Sequence, residues 1–146
     1  MRIFIDADGC PVTGQAVGLA STYHIPCTII CDTSHEIAFP SAQTITVGKG
    51  ADSADFTLVN LLQKGDLVIT QDYGLAAMCL GRGANVLHQD GFFYTEDNID
   101  ALLHFRAQAK KARRGGARIK GPQKRAKEQN AAFCTALEAF LREEQA

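Results

Sequence analysis

Residues 1–9, MRIFIDADG, place three consecutive apolar side chains, IFI at 3–5, directly before an aspartate, Asp6. A short and fully apolar run is typical of a strand that is buried on both faces, as in a parallel sheet. The stretch LVIT at 67–70 has the same character and is followed closely by Asp72. Two buried strands that each lead into an acid therefore decide the fold that we predict.

Further strands and helices alternate along the rest of the chain. TIIC at 28–31 and ITV at 45–47 predict strands, and a short strand is expected around Val86. Helices are predicted over residues 11–23, 52–63, 73–80, 96–114 and 128–143. We predict that Gly65 caps the C-terminus of the second helix. This order indicates one α/β domain, residues 1–146, with a central and mainly parallel sheet flanked by helices.

Composition excludes several classes of protein. The chain has 146 residues, of which 46% are hydrophobic and 21% charged, as in an ordinary globular domain rather than a disordered chain. It contains no apolar run near the roughly 20 residues of a membrane span, and acids interrupt the N-terminal run too early for a signal peptide. We therefore expect a cytoplasmic protein without a membrane partner.

The cysteines are predicted to be structural. Five cysteines form no CxxC pair, so buried free thiols are expected rather than a disulfide framework. Cys27 and Cys31 are four strand residues apart, about 13 Å, which is too far for both to bind one zinc ion together with His24 and His35. For Cys10, close to the first acids, a reactive thiol and a small packing residue both remain open.

Charge divides the chain into an acidic body and a basic segment. Residues 1–105 carry 12 acids against 4 lysines and arginines, whereas residues 106–127 carry 10 lysines and arginines and no acid. We predict that this basic segment contacts a nucleic-acid backbone, although a solvated helix face is the alternative. Because the segment lacks aromatic residues, binding is expected to follow the backbone rather than the base sequence. The candidate contact residues are Lys110, Lys111, Arg113, Arg114, Arg118 and Lys120.

Several acids are predicted to gather at one edge of the sheet. Ligands of parallel α/β sheets bind beyond the carboxyl ends of the strands, where Asp6, Asp8 and Asp72 lie. Asp52 and Asp55 are one helical turn apart, and helix capping is an equally good interpretation of either. Clustered carboxylates repel one another unless a cation compensates, and Mg²⁺ or Mn²⁺ prefers such oxygens. The remaining acids considered, which are predicted to be loop or capping residues, are Asp32, Asp90 and Asp97.

Several separate motifs, in order, resemble the YaiI/YqxD family of bacterial proteins. They are DADGCPV at 6–12, DSADFTLV at 52–59, GDLVITQDYGLA at 65–76, GA at 83–84, and RRGG with GP between 113 and 122. The resemblance implies a fold similar to the PIN domain, whose members are mostly metal-dependent ribonucleases with clustered acids. It implies metal ligands at Asp6, at Asp52 or Asp55, and at Asp72, where TQD resembles the PIN motif T-x-D, with Asp8 as an extra ligand.

Two positions depart from these patterns. Gly9 stands where the family usually has alanine, which is a small change. PIN enzymes tend to offer a fourth acid shortly after the T-x-D motif, and the following residues here, YGL at 73–75, supply none. Asp8 would have to take the place of that acid in a nuclease.

The sequence thus leaves three functions open. The first is a Mg²⁺- or Mn²⁺-dependent nuclease acting on RNA, with Asp6 and Asp72 as catalytic residues. The second is a non-catalytic nucleic-acid-binding or regulatory protein. The third is a phosphatase of the haloacid-dehalogenase type, in which Asp6 would be the nucleophile and Asp8 the general acid. The oligomeric state is left undetermined by the sequence.

Overall fold

The structure is a computed structural model that describes residues 1–32, 38–48, 53–114 and 125–145, with the side chains of Arg106 and Arg113 excepted. Strands and helices alternate along these ranges. They are β1 (Ile3–Asp6), α1 (Thr13–Thr22), β2 (Cys27–Asp32), β3 (Gln43–Val47), α2 (Ser53–Leu61), β4 (Leu67–Ile69), α3 (Tyr73–Gly81), β5 (Asn85–Leu87), α4 (Glu96–Arg114) and α5 (Lys127–Gln145).

The five strands form one parallel sheet in the order β3-β2-β1-β4-β5. Strand β1 lies at the centre, between β2 and β4, and its residues Ile3, Phe4 and Ile5 are almost completely buried. The predicted α/β fold with a parallel sheet flanked by helices is therefore confirmed. The two apolar stretches that led to this prediction are adjacent strands, β1 and β4.

Side chains alternate between the two faces of the sheet, as strand geometry requires. Ile3 and Ile5 of β1 point to a core that α1 and α5 cover, the latter through Phe133 and Leu137. Phe4 points to the opposite core, which α2, α3 and α4 cover. Helices on both faces explain why the central strands are continuously apolar.

The second helix ends earlier than predicted. Helix α2 stops at Leu61, so Gly65 is not its C-cap. Gly65 instead has a φ of 90° in the turn that leads into β4, and its N–H donates to the carbonyl of Gly83, 3.1 Å away. The prediction was wrong because glycine suits any position with positive φ, whether in a helix cap or in a turn.

Gly91 fixes the turn after β5 against helix α5. Its φ is 93°, and a Cβ added there would lie 2.6 Å from the carbonyl oxygen of Ala132. Gly18 offers a matched comparison because it is exposed within α1 and nothing lies within 4 Å of an added Cβ.

We expect Gly91→Ala to lower the free energy of unfolding by about 1–3 kcal/mol, because it adds both backbone strain and a steric clash. Gly18→Ala should raise it by about 0.5–1 kcal/mol, since alanine restricts the unfolded chain and suits a helix. Urea denaturation of the two variants measures both changes. Equal effects of the two substitutions would show that α5 does not pack on this turn.

Candidate functional site

The carboxyl ends of four neighbouring strands, β3, β2, β1 and β4, open into one acidic pocket. Its volume is about 300 Å³. The predicted residues Asp6, Asp8, Asp55 and Asp72 all line it, together with Asp32. The fifth predicted metal ligand, Asp52, lies outside the described residues.

Asp6 ends the central strand and is the most perturbed acid of the pocket. The pKa of its carboxyl is raised from 3.8 to about 6. Burial is the largest cause, and the negative charges of Asp55, Asp72 and Asp8 contribute to the increase. The hydroxyl of Thr70 donates to Asp6 Oδ2 at 2.8 Å and opposes the increase. A carboxyl with such a pKa gains much from a nearby cation, which would stabilise its charged form.

Asp72 caps a helix and also lines the pocket. It is the N-cap of α3, and its Oδ1 accepts the N–H groups of Gly74 and Leu75 at 2.9 and 3.2 Å. Its own N–H donates to Thr70 Oγ1 at 3.0 Å. The cap orients the carboxylate, so helix formation itself holds Asp72 at the pocket.

Asp32 is a pocket residue that the sequence analysis missed. It is the last residue of β2, and its N–H points at Asp8 Oδ1, 3.4 Å away. The signal was present, since Asp32 follows an apolar strand as Asp6 does. The sequence does not single it out, because this acid also begins a loop rich in turn-forming residues, where an aspartate is common.

The turn after β4 is also bonded to the turn after β1. Gln71 lines the pocket, and its side-chain amide donates to the carbonyl of Gly9 at 3.3 Å. Together with the Thr70–Asp6 bond, this contact ties the two central strand ends to each other. Hydrogen bonds therefore hold together the part of the pocket that the ends of β1 and β4 form.

The chemistry of the pocket fits a hard divalent cation, because its donors are carboxylate oxygens. Among the described residues, however, no group of three or more His, Cys, Asp or Glu side chains stands close enough together to hold a metal ion. A complete ligand set therefore requires some of these acids to move inward or a contribution from Asp52.

The cysteines behave as predicted for core thiols. Cys27 and Cys31 are buried in the sheet, and burial raises the pKa of the Cys27 thiol to about 11. Cys10 packs against the same core, and burial is the main cause that raises its thiol pKa. This favours the packing role of Cys10, since a reactive cysteine needs a lowered pKa.

The basic candidates are only partly described. Lys110, Lys111 and Arg114 are exposed near the C-terminus of α4. The side chain of Arg113, and all of Arg118 and Lys120, lie outside the described residues.

Arg125, also part of the basic segment, has internal partners. Its guanidinium bonds the carboxylate of Asp90, the carbonyl of Gln89 and the side chain of Asn130. Asp90 was predicted to be a loop or capping acid, and it is a loop residue that pairs with this arginine.

Comparison with known proteins confirms the resemblance to the YaiI/YqxD family. The model of a family described as "Uncharacterized BCR, YaiI/YqxD family" matches residues 4–143. The chain belongs to the YaiI/YqxD family. It is 44% identical over 143 residues to a UPF0178 protein of Exiguobacterium sibiricum, covering 98% of each chain.

Two further relatives of this family match over similar lengths. A UPF0178 protein of Clostridium acetobutylicum is 45% identical over 143 residues and 97% of each chain. Another, of Ruminiclostridium cellulolyticum, is 48% identical over 144 residues, which cover 99% of this chain and 94% of the relative. No solved structure matches the chain significantly. Within the described ranges, no helix combines the length and apolar character needed to cross a membrane.

The raised pKa of Asp6 leads to a direct test. In metal-free protein we expect the Asp6 carboxyl to titrate near pH 6. Thr70→Val should raise this pKa further by removing the donated hydrogen bond, and Asp55→Asn should lower it by removing a negative charge. Carbon-13 NMR titration of the side-chain carboxyls, with chelator present, measures all three. Identical pKa values in the three proteins would refute the assigned causes.

The same pKa predicts how stability depends on pH. Because the folded pKa of Asp6 exceeds its ordinary value of 3.8, folding favours the neutral carboxyl. That contribution is complete below pH 3.8 and is lost as the pH rises through about 6. Asp6→Asn should therefore gain stability relative to the wild type between these values in urea denaturation. A gain that appears on lowering the pH instead would contradict the shift.

Proposed function

We propose that this protein is a Mg²⁺- or Mn²⁺-dependent nuclease that acts on RNA. The observation that carries the proposal is the convergence of five carboxylates, from Asp6, Asp8, Asp32, Asp55 and Asp72, on one pocket at the carboxyl edge of the sheet. Burial and the neighbouring acids raise the pKa of Asp6, and a divalent cation would favour the charged carboxylates while binding phosphate oxygens. The resemblance to PIN domains points to the same chemistry.

The residues of the pocket would divide the work. Asp6 and Asp72 would hold the cation from the two central strand ends, with Asp55 of α2 or Asp52, and with Asp8 as a further ligand. Thr70 would fix the first two carboxylates relative to each other through its two hydrogen bonds. A bound ion would supply a lowered pKa for the attacking water and stabilise the leaving oxygen.

In this proposal helix α4 supplies positive charge to the RNA backbone. Its first residues share a cavity with Leu80 and Gly81, at the end of α3 opposite Asp72. Helix α4 therefore packs on the helix that Asp72 caps. Its 19 residues span about 28 Å, twice the length of α3, and the exposed Lys110, Lys111 and Arg114 lie among its last five residues.

RNA would be bound mainly through its phosphates. Lys110, Lys111 and Arg114 are exposed, so their charges are accessible to a backbone. Arg125, by contrast, is engaged by Asp90, which leaves fewer than all ten charges of the segment for an external partner. We further propose a cytoplasmic location, where RNA is available and free cysteines stay reduced.

One observation favours a second candidate, a nucleic-acid-binding protein without catalysis. Within the described residues the acids do not approach closely enough to form a three-ligand metal site. In that case the acidic pocket would serve as a structural or regulatory feature beside the basic segment. The two candidates differ in whether RNA is cut or only bound.

Cleavage of labelled single-stranded RNA separates these functions. We expect Mn²⁺-dependent cleavage that chelator abolishes and that Asp72→Asn reduces at least about 100-fold, since metal assistance is worth several kcal/mol. Asparagine preserves the helix cap, so this variant removes charge without unfolding α3. Asp97→Asn is the matched control, because Asp97 is exposed in the first turn of α4, outside the pocket.

The other outcomes of the RNA assay contradict the nuclease proposal or its assigned site. Binding without cleavage in Mg²⁺ and in Mn²⁺ would replace the nuclease by the non-catalytic candidate. Release of inorganic phosphate from small phosphoesters, with RNA left intact, would favour the phosphatase. Cleavage that survives Asp72→Asn would come from another site or from a contaminant.

Salt dependence tests the phosphate contacts separately. If four or five cations contact single-stranded RNA, log K should fall with log salt at a slope of roughly −3 to −4. Replacing Lys110, Lys111 and Arg114 together by alanine should flatten the slope by about 2. Fluorescence anisotropy in chelator, where no cleavage occurs, provides the measurement. An unchanged slope would mean that this end of α4 is only a solvated surface.

A further inference from the structure

The turn that follows β5 holds an exposed aromatic ring in a fixed position. Phe92 is 37% exposed, although backbone contacts hold its turn in place. The N–H of His88 donates to the carbonyl of Phe92 at 2.8 Å, and the N–H of Gly91 donates to the carbonyl of His88 at 2.9 Å. An isolated bridge pairs Leu87 with Phe93.

The rings of this turn form a stack with one accessible end. Phe92 and His88 are nearly parallel, at 13°, with ring centres 4.4 Å apart. The ring of Tyr94 stands at 66–68° to both, with its centre 5.8 Å from His88 and 5.3 Å from Phe92. Nearly equal distances place Tyr94 beside the stack rather than over it. One face of the Phe92 ring is thus covered by His88, and we assign the exposure of this residue to the other face.

Backbone contacts hold His88 as the inner layer of the stack. Its Nδ1 accepts the N–H of Asp90 at 2.9 Å, which fixes the ring plane. Asp90 in turn bonds Arg125, two residues before α5, and the close contact of Gly91 with Ala132 anchors the same turn on that helix. The stack is thus preorganised, so a ligand that stacks on Phe92 loses little entropy in ordering the protein.

The stack is connected directly to the acidic pocket. The buried hydroxyl of Tyr94 donates to the carbonyl of Thr70 at 3.3 Å, and the hydroxyl of Thr70 donates to Asp6. Tyr73 follows Asp72 in the chain, and its ring centre lies 6.1 Å from that of Tyr94. Aromatic side chains therefore continue from the pocket wall to the exposed face of Phe92.

We propose that Phe92 is a stacking platform for a nucleobase of a single RNA strand whose phosphate backbone passes over the acidic pocket. This inference rests on the proposed function for the identity of the ligand. A flat, apolar and rigid ring beside a phosphate-directed pocket matches the alternation of planar bases and charged backbone in a single strand. Stacking tolerates every base, so the platform adds affinity for unpaired RNA without adding sequence specificity.

The absence of tryptophan from the chain permits a direct optical test. Phe92→Trp introduces the sole tryptophan at the platform, and Leu61→Trp is the matched control. Leu61 is similarly exposed, at 39%, and its carbonyl accepts from Arg2 at the opposite edge of the sheet. With Mn²⁺ present and the fluorescence recorded by stopped flow before cleavage occurs, single-stranded oligouridylate should quench the fluorescence of the first variant and leave the second unchanged.

Affinity measurements test the contribution of the ring. We expect Phe92→Leu to weaken binding of oligouridylate about tenfold, and Phe92→Tyr to leave it within about twofold, because only the former loses the aromatic face. A fully abasic strand of equal length should bind the wild type and Phe92→Leu equally. Uridine monophosphate tests whether a free nucleotide binds as a strand does. Quenching by this mononucleotide would show that a base stacks on the ring without the rest of a strand.

The outcomes separate this inference from the nuclease proposal. Quenching and a tenfold loss without any RNA cleavage would support the platform and overturn the nuclease. Cleavage by the wild type with unchanged affinity of Phe92→Leu would support the nuclease and overturn the platform. Equal quenching of both tryptophan variants, or none in either, would also overturn the platform.

Discussion

The hydroxyl group of Thr70 holds together the part of the molecule on which the candidate site depends. It donates to the carboxylate of Asp6 and accepts the N–H of Asp72, so it links the ends of the two central strands. The parallel pairing of β1 with β4 brings these ends together at one edge. Packing forces carboxylates into proximity there, and one neutral hydroxyl partly relieves the resulting cost to Asp6.

Opposite charges occupy separate parts of the described chain. The acidic pocket lies where the strands end, whereas exposed lysines and an arginine occupy the last residues of α4. The basic residues of α4 attract a polyanion, whereas the acidic pocket repels it unless cations intervene. The arrangement therefore makes cation binding and phosphate binding mutually favourable, which is the electrostatic basis of the proposed nuclease activity.

The turn after β5 connects helix α5 to the acidic pocket. Through Asp90 it binds Arg125, and through Gly91 it contacts the backbone of α5. Through Tyr94 it reaches Thr70 and hence the pocket. The C-terminal helix thus supports an aromatic surface close to the acids, although no residue of that helix is among those that line the pocket in the described part of the chain.

Local sequence by itself determined the succession of strands and helices along the chain and the parallel sheet. It also determined that Asp6, Asp8 and Asp72 follow the ends of strands. The physical reason is that burial on both faces requires unbroken apolar runs, and the acid after such a run marks where the strand leaves the core. Only tertiary structure decided the role of Asp32, because its place in the pocket depends on the register that pairs Asp6 with Ile30 of β2. The same holds for Arg125 with Asp90, 35 residues apart, and for Tyr94 with Thr70, 24 residues apart. These contacts join segments whose separation in the chain carries no local pattern, so they arise only when the sheet and helices are assembled.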